Sequence, residues 1–195
     1  SKSVIEDAIR MISSDLQLSI VKNVEGTKGE YGTIDLLDLD NIKLNEFKYG
    51  KINKKAGQAS LEYIYKGIEL AMSKRINAVV TGPINKESIK AADSPYPGHT
   101  EIFATQTNTK NYAMMLADKH FRVHVSTHVS LRKACDLVKK ERVLTVINLA
   151  DRALKDLGIK EPKIAVAGLN PHAGEGGLFG REEIDEILPA INEAK

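Results

Sequence analysis

Three of the five histidines stand in loops where a ligand could reach them. His99 lies in Tyr96-Pro97-Gly98-His99-Thr100-Glu101, and His128 in Thr127-His128-Val129-Ser130. His172 lies in Gly168-Leu169-Asn170-Pro171-His172-Ala173-Gly174-Glu175-Gly176-Gly177. Imidazole both ligates metals and exchanges protons near neutral pH. Residues 163–167, just before the His172 loop, form an apolar, β-branched run that reads as a buried strand. Arg181-Glu182-Glu183-Ile184, after it, reads as the acidic opening of a helix. Glycines between a strand and a helix let the backbone approach a ligand closely, and open α/β sheets bind ligands outside the carboxyl ends of their strands.

His128 also follows an expected strand, residues 122–126, so two imidazoles at two strand ends can converge on one divalent metal such as zinc, cobalt or nickel. Catalytic zinc usually takes three protein ligands, so a third donor must come from elsewhere. The plainer alternative is one histidine facing solvent and one satisfied in the core. His120 and His124 are assigned to surface or core packing. Around His99, Pro97 and Gly98 fix a turn and Thr100 can cap the helix that follows. The free amides of such a helix start favour a phosphate or carboxylate, although simple capping is the competing reading. Thr81-Gly82-Pro83-Ile84-Asn85-Lys86 is another strand-end turn, with Lys86 placed to meet an anion.

The elements that must carry these loops follow from periodicity. Ser3 and Glu6 have capping-box spacing ahead of Ile5, Ala8, Ile9 and Ile12 on one helical face. Leu16, Leu18 and Ile20 alternate as a strand, and residues 33–37 are a second candidate. The strongest helix is expected over residues 57–75, with Leu61, Ile64, Tyr65, Ile68 and Met72 as its apolar stripe and Lys74 and Arg75 closing it. Strands are expected at 76–81, 112–116, 122–126 and 163–167. A helix carrying Val143, Leu144, Ile147, Ala150 and Leu154 is stopped by Gly158, and Pro189 should kink the last helix or end it near Leu188. Strands alternating with helices imply an α/β fold, a mainly parallel sheet with helices on both faces.

Composition excludes several classes of function. Lys and Arg number 28 against 26 Asp and Glu, a net charge of +2, which makes no case for nucleic acid or an anionic membrane as partner. The single cysteine, Cys135, excludes an internal disulfide and suits a reducing compartment; with no signal peptide or membrane-length apolar run, a cytoplasmic protein is expected. Cys135 falls in an expected helix, where a buried structural thiol is its expected role. Neither the P-loop pattern nor a complete G-x-G-x-x-G is present, since Phe179 occupies its last position. No G-x-S-x-G elbow occurs.

The segments 81–86, 97–101, 127–132 and 168–177 occur here in the order in which they occur in the 4-hydroxythreonine-4-phosphate dehydrogenases of pyridoxal phosphate biosynthesis, and from about Gly57 onward the sequence resembles that family. A sister branch with similar motifs acts on 4-phospho-D-threonate or 4-phospho-D-erythronate. The resemblance implies a fold like that of isocitrate and isopropylmalate dehydrogenases, with two α/β subdomains around a cleft. Residues 1–97 would belong to the first, without its opening strand and glycine-rich motif, and residues 98–195 to the second.

Further expectations come with the resemblance. His128 and His172 match metal ligands for zinc, magnesium, cobalt or manganese. His99 and Thr100 match substrate-binding positions. The catalytic role given to Lys86 is our own assignment. The family's third metal-binding histidine lies further toward the C-terminus and comes from the partner subunit of a homodimer. The expected reaction is NAD- or NADP-dependent oxidation, with decarboxylation, of 4-phosphooxy-threonine. The same chemistry on the threonate or erythronate phosphates is one alternative. A metal-dependent hydrolase or aldolase, or a non-catalytic phosphometabolite-binding module, is another.

Overall fold

The computed structural model describes residues 1–195, which form two compact units, Ser1–Thr109 and Lys110–Lys195. Each contains helices and a two-stranded sheet.

The first unit opens with α1, Lys2–Met11. It starts a residue before Ser3, so the expected capping box does not form. Its N-cap residue, Ser1, instead sends its hydroxyl to the Ile42 carbonyl at 2.7 Å. Strands β1, Gln17–Val21, and β2, Thr33–Leu37, pair in parallel from Gln17 opposite Thr33 to Val21 opposite Leu37. Residues 22–32 make the crossover, with one 3-10 turn at Val24–Gly26. The Asp35 carboxylate on β2 ties that crossover down by accepting the Lys28 and Gly29 amides at 2.8 and 2.9 Å.

Helix α2, Lys54–Met72, is the backbone of the unit. Asn53 caps it by accepting the Ala56 amide at 2.8 Å, which moves the start three residues ahead of the expected one. Leu61, Ile64 and Ile68 pack with Ile89 and Ile102 into a core, with Tyr65 at its edge. Met72 does not join them: the helix ends there, and Lys74 turns into the left-handed region (φ 58°). The basic pair therefore lies off the helix, and Arg75 forms a two-pronged ion pair with Glu25 at 2.7 and 2.6 Å.

The short helices α3, Lys86–Ala91, and α4, His99–Gln106, complete the unit. Gly57 is where α3 meets α2. A Cβ at that position would stand 2.0 Å from the Ser88 carbonyl oxygen, so no larger residue fits without moving one helix.

In the second unit, β3, Met115–Ala117, and β4, Phe121–Val123, pair antiparallel. The parallel arrangement expected for 112–116 and 122–126 is corrected here. Only residues 118–120 join the strands, enough for a hairpin and far too few for a crossover. Helix α5, Leu131–Leu137, leads to α6, Lys140–Asp156, and Gly158 turns the chain at φ 92° just beyond it. Cys135 on α5 is half-buried.

After the bend at 168–180 a helix resumes with a π-turn, Glu183–Ile187, and continues as α7, Leu188–Ala194. The π-turn ends two residues before Pro189. A proline has no amide to give and its ring presses on the carbonyl four residues back, so widening the preceding turn lets the helix continue. Val138, Val143, Ile187 and Ala190 form the core of the unit, with Val166 and Leu169 packed against it.

Two expected strands, 76–81 and 163–167, are not in a ladder. The second still alternates, with residues 164 and 166 half-buried between exposed neighbours. Period-two patterning reports which side chains face the core; a ladder also needs a neighbouring strand edge, and none in the chain pairs with either segment. No helix is long and apolar enough to cross a membrane.

Candidate functional site

In the first unit, the turn at 81–86 and the His99 loop come together. A cavity of about 260 Å³ is bordered by Tyr63, Val79, Thr81, Pro83 and His99. The lining is mostly apolar, with Ser60, Tyr63, Thr81 and His99 the bordering residues that carry polar side-chain groups. His99 is the first residue of α4, and its ring stacks on Phe103 with centroids 6.4 Å apart and planes 22° from parallel.

Thr100 is the second residue of α4, not its cap. The N-cap position belongs to Gly98, and no side chain caps that end. The extended backbone of Gly98 lets the helix begin two residues earlier than expected, leaving Thr100 inside the first turn. Lys86 opens α3 and is exposed, outside the cavity lining. Its position is fixed by Asn85, whose side-chain oxygen accepts the Ser88 amide at 2.8 Å.

In the second unit, His128 is exposed and adopts φ 57°, five residues beyond β4 and two before Ser130, which caps α5 by accepting the Lys133 amide at 3.3 Å. A hollow of about 310 Å³ between α6 and the extended segment borders Asp151, Ile164 and Val166 and contains no candidate side chain.

The His172 bend is the most unusual piece of backbone in the molecule. From His172 to Gly177 every residue has positive φ: 53°, 53°, 80°, 45°, 65° and 102°. This is a left-handed turn, closed by the Phe179 amide donating to the Gly174 carbonyl at 3.1 Å. Glycines take three of the six positions. The other three, His172, Ala173 and Glu175, cost roughly 1–2 kcal/mol each in this conformation. Strain of that size persists only where surrounding contacts over-determine the backbone.

Those contacts converge on Glu183, which sequence reasoning took for an ordinary acidic residue in a helix's first turn. It is 6% exposed. Oε1 accepts the Leu169 amide at 2.6 Å and the Asn170 amide at 2.7 Å, while Oε2 accepts the Asn170 side-chain amide at 2.9 Å. These bonds, led by that from the Asn170 side chain, hold the Glu183 carboxyl down at about 2. Glu182 takes the Asn170 side-chain amide as well, at 2.6 Å, and its carboxyl is likewise lowered. The one available signal was an acidic pair ten residues beyond a histidine. Nothing in its spacing shows that one carboxylate turns inward.

A divalent metal can be weighed against these residues. Nδ1 of His172 lies 3.3 Å from Glu175 Oε1, which leaves Nε2 as the nitrogen available to a metal. A carboxylate behind the imidazole is the common arrangement for metal-bound histidine. With the exposed His128, the chain offers two imidazoles suited to such an ion. No group of three or more His, Cys, Asp or Glu side chains gathers into a metal centre.

The architecture is of the α/β class, helices with small sheets. The chain resembles the crystal structure of 4-hydroxythreonine-4-phosphate dehydrogenase from Klebsiella pneumoniae with a TM-score of 0.83 and 38% identity, over 91% of this chain and 54% of that one. Across residues 1–195 it matches the family described as pyridoxal phosphate biosynthetic protein PdxA, and it belongs to that family. The match reaches back to residue 1, well before the motifs that carry the resemblance.

Among curated relatives, proteins provisionally named D-threonate 4-phosphate dehydrogenase are 47% identical over 195 residues in Fusobacterium nucleatum and 48% identical over 193 residues in Clostridium botulinum strain Hall. They align with 100% and 98% of this chain respectively, and the chain spans 58% of the length of each.

Proposed function

We propose that the whole protein is an NAD- or NADP-dependent dehydrogenase that oxidises, with decarboxylation, a 4-phosphorylated hydroxy acid. The observation carrying this is the family match over the entire chain. The primary substrate proposed is 4-phosphooxy-threonine in pyridoxal phosphate biosynthesis. 4-Phospho-D-threonate is the second reading, favoured by the higher identity to relatives named for it, 47–48% against 38%. 4-Phospho-D-erythronate belongs to the same reading. We further propose a cytoplasmic homodimer, with the metal site completed by the partner subunit.

In the reaction, the carbinol carbon gives hydride to the nicotinamide and its hydroxyl loses a proton. The resulting ketone lies β to a carboxylate, so carbon dioxide can leave with its bonding electrons passing to the enolate, which is then protonated. We assign His99 and Thr100 to substrate binding, supported by the cavity that borders His99. Lys86, fixed by the Asn85 cap, is assigned to catalysis at the substrate's anionic end. His128 and His172 are assigned to a divalent ion, zinc, magnesium, cobalt or manganese. When bound, such an ion would acidify the hydroxyl and stabilise the enolate. Glu175 would hold the His172 ring by its Nδ1 face.

The test offers the full-length protein both phosphorylated acids, each nicotinamide and a divalent salt, and follows reduced-nicotinamide absorbance and released carbon dioxide. Turnover that disappears with chelator, and in His128→Ala and His172→Ala variants that stay folded, is expected. Carbon–carbon or phosphate-ester cleavage without nicotinamide reduction would replace this reading with the hydrolase or aldolase. Near-wild-type activity in either histidine variant would remove the ligand assignment.

A further inference from the structure

We propose that Glu183 is the positioning residue for His172: from the helix beyond the bend, its buried carboxylate fixes the point at which the chain enters the left-handed turn. The catalytic consequence rests on the function proposed above; the positioning itself rests on geometry.

The carboxylate reaches back 13 and 14 residues to Asn170 and Leu169 and takes both backbone amides on one oxygen. Its other oxygen takes the Asn170 side chain. Every one of these donors is a neutral amide of the bend, so the carboxylate is spent on the bend's shape rather than on a salt bridge.

The walls around it are equally tight. A Cβ on Gly168 would stand 3.2 Å from Glu183 Oε1, and one on Gly174 would stand 3.1 Å from Oε2 and 2.9 Å from the Gly180 carbonyl oxygen. The bend therefore touches the carboxylate on both sides of His172. Asn170 relays the hold onward, its carbonyl accepting the Ala173 amide at 3.1 Å around the histidine. Glu175 acts on the ring from within the bend, whereas Glu183 acts from outside and sets where the bend sits. Groups that orient a metal-binding histidine typically change affinity or activity by about 10- to 100-fold when removed.

The test uses Glu183→Gln in the full-length protein. The amide keeps the size but turns an N–H group toward donors that need an acceptor. Cobalt(II) alone is titrated by its visible spectrum, the His172 ring signals are followed by NMR, and kcat and KM are measured separately. The expected result is cobalt affinity and kcat each lowered about 10- to 100-fold, KM for the phosphorylated substrate moving much less, and His172 signals displaced.

A variant that unfolds more easily yet keeps wild-type cobalt affinity, kcat and ring signals would overturn the proposal by reducing Glu183 to a structural role. If the variant does not fold, hydrogen exchange on the unaltered protein decides. Slow exchange at the Leu169 and Asn170 amides supports the carboxylate's hold, and fast exchange refutes it. If the unaltered protein binds no cobalt, the metal reading fails by itself, and displacement of the His172 signals still decides the positioning.

Discussion

Two loops carry candidate residues into the start of a helix, and they are held in opposite ways. The turn at 81–86 is held locally: Asn85 lies one residue before α3 and accepts an amide three residues on, a bond any asparagine at that spacing can make. The bend at 168–180 is held from a distance, by a buried carboxylate from the helix beyond it, and it runs through a left-handed turn that most side chains resist. A locally capped turn tolerates change around it, while a bend wound on one carboxylate depends on every neighbour of that group.

The largest difference should appear at the glycines. Gly174→Ala must take φ 80° and place its methyl carbon 2.9 Å from the Gly180 carbonyl oxygen. It should cost roughly 1–2 kcal/mol for the conformation and about 1–3 kcal/mol more for the collision, measured by urea unfolding. Gly176→Ala meets nothing within 4 Å and should show the conformational cost alone, roughly 1–2 kcal/mol. Equal losses at the two sites would mean that the bend is not packed as described. Asn85→Ala should cost about 1 kcal/mol and leave exchange at the Leu169 and Asn170 amides unchanged.

Acid should separate the two loops without any mutation. The Glu183 carboxyl sits at about 2 against an ordinary 4.5. A group lowered on folding gives stability that is present above its unfolded value and lost as pH falls toward its folded one. Exchange at Leu169 and Asn170, corrected for the intrinsic pH dependence, should therefore lose protection between about pH 4.5 and 2. The Ser88 amide, held by the uncharged Asn85 side chain, has no such direct link to pH. Parallel loss at all three amides would point to global unfolding instead of local release.

What the sequence made legible follows the same division. Helix α2's stripe from Leu61 to Ile68 and the run of α6 ending just before Gly158 rest on neighbours a few residues apart, and they stand where expected; Met72 alone falls off the stripe. The antiparallel hairpin was readable too, had the five residues left between the expected strands, 117–121, been weighed above the alternation of elements, since so few cannot make a crossover. The ladder of 76–81 or 163–167 was not readable, because pairing depends on an edge supplied from elsewhere. Four short motifs named the family, and they drew attention to His172, Asn170 and Glu175. Glu183 stayed hidden, since an acidic residue in a helix's first turn looks the same whether it faces water or turns back 14 residues to hold a loop.

We propose that His128 and His172 meet at one divalent ion. It is tested most directly by a crystal structure of the full-length protein grown with zinc, using anomalous scattering to locate the metal. One peak is expected about 2.0–2.1 Å from a ring nitrogen of each histidine, with the nitrogen of His172 being Nε2. Rings on separate faces, or zinc bound elsewhere while both imidazoles stay free, would contradict it.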